Sequence, residues 1–473
     1  MLRAFLSILF LGIGAGLFAF LEMATAVKTG FILNYLVLGC IFYYHLYLEK
    51  RFSPFLSSYI VFTLLFFIVA PIIQIHSFTS FTKEYKTQLP FDELGAIFTN
   101  ILILIFQVTF FAGYLLFVRL KKPKPPSYTG RNESLLSAQV MILAIVCLIL
   151  FATNFHFVVE ELERPSWMPF DESIFSLLIR KKVLFMIPLA GVVMCCHYLR
   201  KAKQAVWANL TVVIGCLLLF LVLLFWFKNP LTEKRNALGP IFFCLIFLFV
   251  PRLVNTNVKT TAMLFLSLIV AFPLVSILTH SQVSLDKMLD RPSVLFKNIK
   301  GDGLIATFNT LNYDAFSNIS ATVEYTEAEG FTWGHQQLST FFFFIPRSVW
   351  PSKALPTGQL VGNYLIDEHG FNYNNLSNPL VSEGYVDFGI PGVIIMALLL
   401  AFVVRFFMSW IISDDYLRRN AAFYFSIHLM FLLRGDLTSG YVYMVGTLFG
   451  ILFLPKLINQ AIPILFFKKI QRS

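Results

Sequence analysis

The residues of this chain with the most capacity for chemistry are cations placed where an apolar sequence has no use for them. In "FFFFIPRSVWPSKALP", residues 341–356, Arg347 and Lys353 stand at the foot of a wall of phenylalanines, with Trp350 between them. Pro346 and Pro351 fix the backbone on either side of Arg347, which suits a charge held ready for a ligand. Arg180, Lys181 and Lys182 interrupt another apolar stretch, Lys234 and Arg235 follow "KNPLTE", and Arg434 opens "RGD". Guanidinium forks match phosphate oxygens two at a time and ammonium groups act as point charges, so converging cations predict an anionic ligand. Glu383 and Asp387 lie one turn apart on a predicted helix and share a face; burial there raises a carboxylate toward the range of a general base. Asp314, in "NYDAFSNIS", has the chemistry to hydrogen-bond hydroxyls or to cap a turn, and His335, in "WGHQQ", is another candidate base. Each also has an ordinary reading. A cation at a membrane margin snorkels to the headgroups, Trp350 anchors at an interface, and Glu383 serves equally as the partner of an arginine.

Which side of a membrane these residues occupy decides between the two readings. Of 473 residues 57% are hydrophobic and only 13% charged, against roughly 25% charged in a soluble domain. Apolar runs long enough to cross a hydrocarbon core recur along the whole chain. They predict an all-α polytopic membrane protein of about twelve transmembrane helices, centred near 4–22, 31–48, 56–76, 95–118, 136–156, 183–199, 206–227, 238–253, 260–279, 391–411, 421–437 and 440–456. When these spans alternate, "EKR" 49–51, "RLKKPKPP" 119–126, "RKAK" 200–203, "RR" 418–419, Arg3 and the tail "KKIQRS" fall on one side. That side is the cytoplasm by the Lys/Arg bias, with both termini in it. The acidic connection 157–172 and the cations singled out above fall on the other. The net charge of +11 is thereby a matter of membrane orientation, and nucleic acid is not expected as a partner. Arg3 and the long apolar run after it predict an uncleaved first span.

The outer face carries one outsized element. The organisation reads as spans one to nine over 1–279, a large loop of short amphipathic helices over 280–390, and spans ten to twelve with a cytoplasmic tail over 391–473. A loop of that length is uncommon unless it is functional or has structure of its own. Leu304, Phe308, Leu311, Ala315 and Ile319 recur at three-to-four spacing, predicting an amphipathic helix over 304–320 that leaves Asn309, Asn312, Asp314 and Ser317 off its apolar stripe. "SNPLVSEGYVDFG" predicts a second helix with Asn378 as its cap, Pro379 at its first position and Gly389 near its end. The six cysteines all fall in apolar runs, so neither a disulfide framework nor a cysteine metal site is expected. The first external loop has no Asp-x-Asp pair, only Glu22 and Lys28, and no magnesium site is expected there.

The pattern "GHQQLSTFFFFIPRSVWPSKALPTG" followed by "NLSNPLVSEGYVDFGIPG" resembles the bacterial oligosaccharide repeat-unit polymerases, the Wzy or O-antigen polymerase family, as do "NYDAFSNI", "NPLTEKR" and the late "RGD". The resemblance implies a metal-independent GT-C-type glycosyltransferase of the bacterial inner membrane with a periplasmic active site and no cofactor. Its donor is then a growing glycan on undecaprenyl diphosphate and its acceptor a single lipid-linked repeat unit. A chain-length regulator and a flippase are implied as partners beside the lipid bilayer. On this reading Glu383, Arg347 and Asp314 form the catalytic set. Arg347, Lys353, Arg434, Arg235 and Arg180 bind diphosphate, and Trp350, His335 and Asn312 contact the substrate. Two alternatives share parts of the pattern: an O-antigen ligase, with a similar late loop and external arginines, and a lipid-linked oligosaccharide flippase or transporter.

Overall fold

An apolar chain in lipid must satisfy its backbone within itself, and a helix does so locally. Every regular element among the described residues is helical, with no strand. The structure, a computed structural model, describes residues 1–80, 92–119, 133–164, 174–201, 207–230, 232–271, 308 and 311–458. Among them nine helices are long and apolar enough to cross a membrane, which makes the chain a multi-pass membrane protein. The expected eighth span is the shorter apolar helix Asn236–Phe249; of the expected ninth, the described residues form the apolar helix Asn257–Ile269, and 272–279 lie outside them. The expected eleventh is Tyr416–Arg434, long enough but carrying Arg418, Arg419, Asn420 and His428 among its apolar residues; it is not among the nine.

The chain divides into two units: 1–121, 253–406 and 429–441 form the first, and 122–252, 407–428 and 442–473 the second. The first begins with α1 (Leu2–Phe20), α2 (Thr25–Tyr43), α3 (Pro54–Phe62), α4 (Ala70–Ser80) and α5 (Glu93–Arg119). Its core is the α3–α4 segment, Pro54–Ser77, whose apolar window is wholly buried, whereas that of α1 is only 22% buried and leaves most of its surface to lipid. A polar clasp ties this core together. His45 on the π-turn after α2 holds Glu49 through Nδ1 (2.6 Å) and Ser57 of α3 through Nε2 (2.8 Å). Ser57 in turn accepts from Thr261 (3.0 Å). Carboxylate, imidazole and hydroxyl follow the order of a hydrolase triad, but Ser57 is fully buried and its hydroxyl is already shared. Its work is to pin helices.

The second unit holds α6 (Glu133–Glu163), α7 (Ile174–Leu178), α8 (Ile187–Lys201), α9 (Trp207–Phe227) and α10 (Arg235–Phe249). A π-turn, Ile179–Val183, carries Arg180, Lys181 and Lys182 between α7 and α8. The first unit resumes with α11 (Asn257–Leu266) and then α12 (Ala315–Glu329), α13 (His335–Phe341), α14 (Thr357–His369) and the start of α15 (Leu380–Ile411). Its last part lies at the end of α16 (Tyr416–Arg434) and the start of α17 (Leu437–Leu448).

The large loop departs from its expected form. Leu304 and Asn309 lie outside the described residues. Of the predicted helix, Phe308 is helical; beyond a 3₁₀ turn at Leu311–Tyr313 a helix runs from Ala315 to Glu329, where Gly330 at φ 85° ends it. Asp314 and Ser317, expected off the buried stripe, are buried. The reason is that α12 packs inside the first unit, against α5, α14 and the π segment between α3 and α4, so its polar face meets protein rather than water. The predicted break near Gly389 is present: α15 leaves helical geometry at Phe388 and at Gly389, whose φ of 62° is one that glycine alone adopts freely. Gly384 and Gly392 pack backbone to backbone across the break, since a Cβ on either would strike the other's carbonyl.

Candidate functional site

The aromatic stretch is built on α13, a helix of seven residues that cannot hold itself together by propensity. Its amino end is held by Asp387 of α15, which accepts from the backbone N–H groups of Gly334 (3.1 Å), Gln336 (3.2 Å) and Gln337 (3.0 Å) and from the Thr332 hydroxyl. The chain enters through Trp333 at φ 52° and Gly334 at φ 86°. Just past its other end Lys353 gives its ammonium to the carbonyls of Phe342 (3.3 Å), Phe343 (2.8 Å) and Ile345 (2.9 Å). Arg347 donates to the carbonyls of Lys353 and Ala354. Both cations expected to face a diphosphate are therefore turned into their own loop. Lys353 is held below the ordinary lysine range by burial and by Arg347 beside it. Arg347 is exposed and spends two of its five donors here. The Trp350 indole bonds Ser352 and meets the His335 ring edge-on at 5.9 Å, so these two predicted contacts do come together.

Glu383 is 1% exposed. It accepts the Thr357 hydroxyl (2.7 Å) on one oxygen and the Leu437 N–H (2.9 Å) on the other, which ties α15 to the amino ends of α14 and α17. Its partners are thus a hydroxyl and an amide, and no arginine is paired with it. Asp436 caps α17 through Ser439 N–H (3.2 Å) and takes the Gly358 N–H of α14 as well (3.1 Å). Burial raises the Asp436 carboxyl against the pull of those amides. Three buried carboxylates thus receive the amino ends of three helices.

Asp314 stands differently. Its Oδ1 accepts from Arg434 (3.2 Å) and from the Ser377 hydroxyl (2.7 Å), while its second oxygen has no hydrogen bond among the described residues. One turn further along α12, Asn318 donates to the Ser377 carbonyl. Thr322 donates to Asn378 (3.2 Å). Asn378 was expected to cap its own helix; its side-chain oxygen instead serves α12. Among the described residues Asn318 Oδ1, Asn378 Nδ2, Ser382 Oγ and the Tyr373 hydroxyl are buried with no hydrogen-bond partner. The Tyr373 phenol is pushed up to about 12 by burial and by the Asp314 carboxylate, against the opposing effect of Arg434. Asn312 is exposed on the turn leading to Asp314.

The remaining predicted cations belong to the second unit. Arg180 lies over the Phe157 ring at 4.2 Å. Arg235 opens α10, with its side chain outside the described residues. The sequence reading missed Asp436, the second half of "RGD", and the polar set of Asn318, Ser382 and Tyr373. It also missed Lys228, which ends an apolar run at "LLFWFKNP". A signal existed for one of them: Ser382 is a polar residue four positions after Asn378 at the mouth of an apolar helix. No family model, curated protein or solved structure matches this chain.

Proposed function

We propose that the chain is a repeat-unit polymerase of the Wzy type, a GT-C-like glycosyltransferase joining lipid-linked oligosaccharide units at the periplasmic face of the inner membrane. With Asn236–Phe249, Asn257–Ile269 and Tyr416–Arg434 counted as crossings, its spans reach twelve and both termini are cytoplasmic. The observation that carries the reading is the set of orphaned buried polar atoms beside the Asp314–Arg434 pair. Leaving such atoms unpaired costs about 1–3 kcal/mol each, and a polyhydroxylated substrate supplies donors and acceptors of the kind they lack.

In this reading the acceptor sugar rests against Asn318, Asn378, Ser382 and Tyr373. Asp314 orients its attacking hydroxyl and takes the proton on the uncommitted oxygen as the hydroxyl bonds to the anomeric carbon of the donor. The bond from that carbon to undecaprenyl diphosphate breaks, and the growing chain passes to the new unit. Charge then develops on the leaving diphosphate, where the positive charges of Arg434 and Arg347 stabilise the transition state more than the ground state. Glu383 and Lys353 act one step back, fixing the helices and the loop on which these groups stand.

A strain lacking the gene tests the reading, with its surface glycan run as a size ladder. Loss of long chains while single units still reach their final attachment is the expected result. If single units also fail to appear, joining units is not the missing step, and ligase or flippase readings take its place.

A further inference from the structure

The second unit contains a cluster of buried charge that the polymerase reading does not use. Lys228, at the end of α9, is 1% exposed and holds Glu233 Oε2 at 2.7 Å. Lys182, on the π-turn, approaches the other oxygen of the same carboxylate only to 4.0 Å, with its side chain 12% exposed. Its ammonium lies 3.9 Å from the centre of the Tyr443 ring and donates no hydrogen bond among the described residues. Neighbouring Lys181 is already matched, by Glu161 at 2.5 Å. The close approach of α17 is what lets Lys182 sit so deep: a Cβ on Gly446 would meet the Lys182 Cβ at 3.1 Å.

The amines outnumber the acceptors within their reach. Burial alone would raise the Glu233 carboxyl, but Lys228 and Lys182 outweigh it and bring it down to about 2. The carboxylate is therefore ionised, and it neutralises one of the two ammonium groups that flank it. The tyrosine face attracts the other but offers it no acceptor. Lys182 is left nearly buried with no hydrogen-bond acceptor among the described residues, and the one carboxylate near it is already bonded to Lys228. Lys234, close in sequence and exposed, adds positive charge to the approach.

We propose that Lys182 and Lys228, with Tyr443 as the floor, form a seat for a phosphate group. Phosphate supplies the missing acceptors, and its negative charge favours the protonated form of both lysines. The group is either the headgroup of a phospholipid or free inorganic phosphate. The seat needs no glycan, so it stands or falls apart from the polymerase reading.

The test is the rate at which Lys182 is acetylated by an amine-reactive ester, read peptide by peptide by mass spectrometry on the full chain in maltoside micelles and chloride buffer. Three additions are compared: inorganic phosphate, phosphatidic acid, and diacylglycerol with the same tails and no phosphate. A phosphate source at ten times its dissociation constant leaves about one site in eleven open, so Lys182 should react about tenfold more slowly. Exposed Lys234 should hardly change. Protection by inorganic phosphate assigns the seat to the free ion, and protection by phosphatidic acid alone assigns it to a headgroup. Equal reactivity in every condition overturns the proposal, as does protection by diacylglycerol or equal protection at Lys234. In Lys228→Met the protection of Lys182 should be lost; if it persists, the two-lysine seat is wrong. The wild-type comparison stands even where that variant fails to fold.

Discussion

Asp387→Asn gives the sharpest test of how the aromatic loop is held. The carboxylate accepts from three backbone amides at the start of α13 and from Thr332, with Gln337 N–H alone on Oδ2. Asparagine keeps one acceptor and puts an NH₂ where the other stood, so one amide faces a donor. The loss is one hydrogen bond to a charged group, about 1.5–3 kcal/mol, together with a desolvated amide left unpaired at about 1–3 kcal/mol. Taking about 3 kcal/mol as the sum after partial relaxation, and about 1.4 kcal/mol per factor of ten, local opening becomes roughly 150 times more frequent. Hydrogen exchange of peptides spanning 332–345, followed by mass spectrometry on the full chain, should quicken about a hundredfold, while α12 exchanges as before. Exchange within threefold of wild type would refute the idea that α13 depends on this cap. A uniform rise over the whole first unit would show that Asp387 supports the unit and not the loop.

The proposed site makes opposite predictions for two carboxylates. Asp314→Asn should lower polymerisation about a hundredfold or more, as loss of a proton acceptor or an oriented transition-state contact does; near-normal chain lengths on the glycan ladder would remove Asp314 from the chemistry. Glu383→Gln should cost stability, about 1–2 kcal/mol for one impaired buried bond, yet keep polymerisation within tenfold; inactivity in a variant with wild-type melting would return Glu383 to the role of base. Glu233 predicts acid sensitivity. Its folded pKa of about 2 lies below the ordinary 4.5, so its contribution, on the order of 3 kcal/mol, is present above pH 4.5 and lost as pH falls toward 2. Wild type should therefore lose more stability than Glu233→Gln over that window, and parallel melting curves would contradict it. Gly389→Ala forces a side chain into φ 62° with the Phe331 ring 3.1 Å away and should destabilise by about 1–3 kcal/mol; an unchanged melting temperature would mean that the break in α15 is free to move.

What was legible in the sequence followed local physics. The polytopic helical character, with nine long apolar helices among the described residues where about twelve spans were expected, the break at Gly389 and the helical spacing of Glu383 and Asp387 all follow from composition, turn chemistry and helical periodicity. What was hidden depended on contacts between distant parts of the chain. Asp314 and Arg434 meet across 120 positions, and no periodicity announces such a pair. Polar residues on one face of α12 read as solvent-facing because an amphipathic pattern does not say whether water or protein lies opposite. Lys353 read as a ligand-binding charge because a lysine beside prolines gives no sign of the three carbonyls it serves.

The division of hydrogen bonds among the carboxylates bears on which of them can react. A carboxylate that caps a helix is lowered in energy by amides that cannot follow a proton. Asp387 spends both oxygens on α13 amides, and Glu383 spends one on Thr357 of α14 and the other on Leu437 of α17. A base must have an oxygen free to take up a proton, so residues whose oxygens are both spent on the fold are poor candidates for it. Asp314 is the exception, since both of its bonds fall on Oδ1 and its remaining oxygen can gain a proton while Arg434 and Ser377 stay in place. The same reasoning separates the cations: Lys353 is committed to three carbonyls, whereas exposed Arg347 gives two of its five donors to its own loop. Reactivity, on this account, belongs to the groups that the helix ends have left uncommitted.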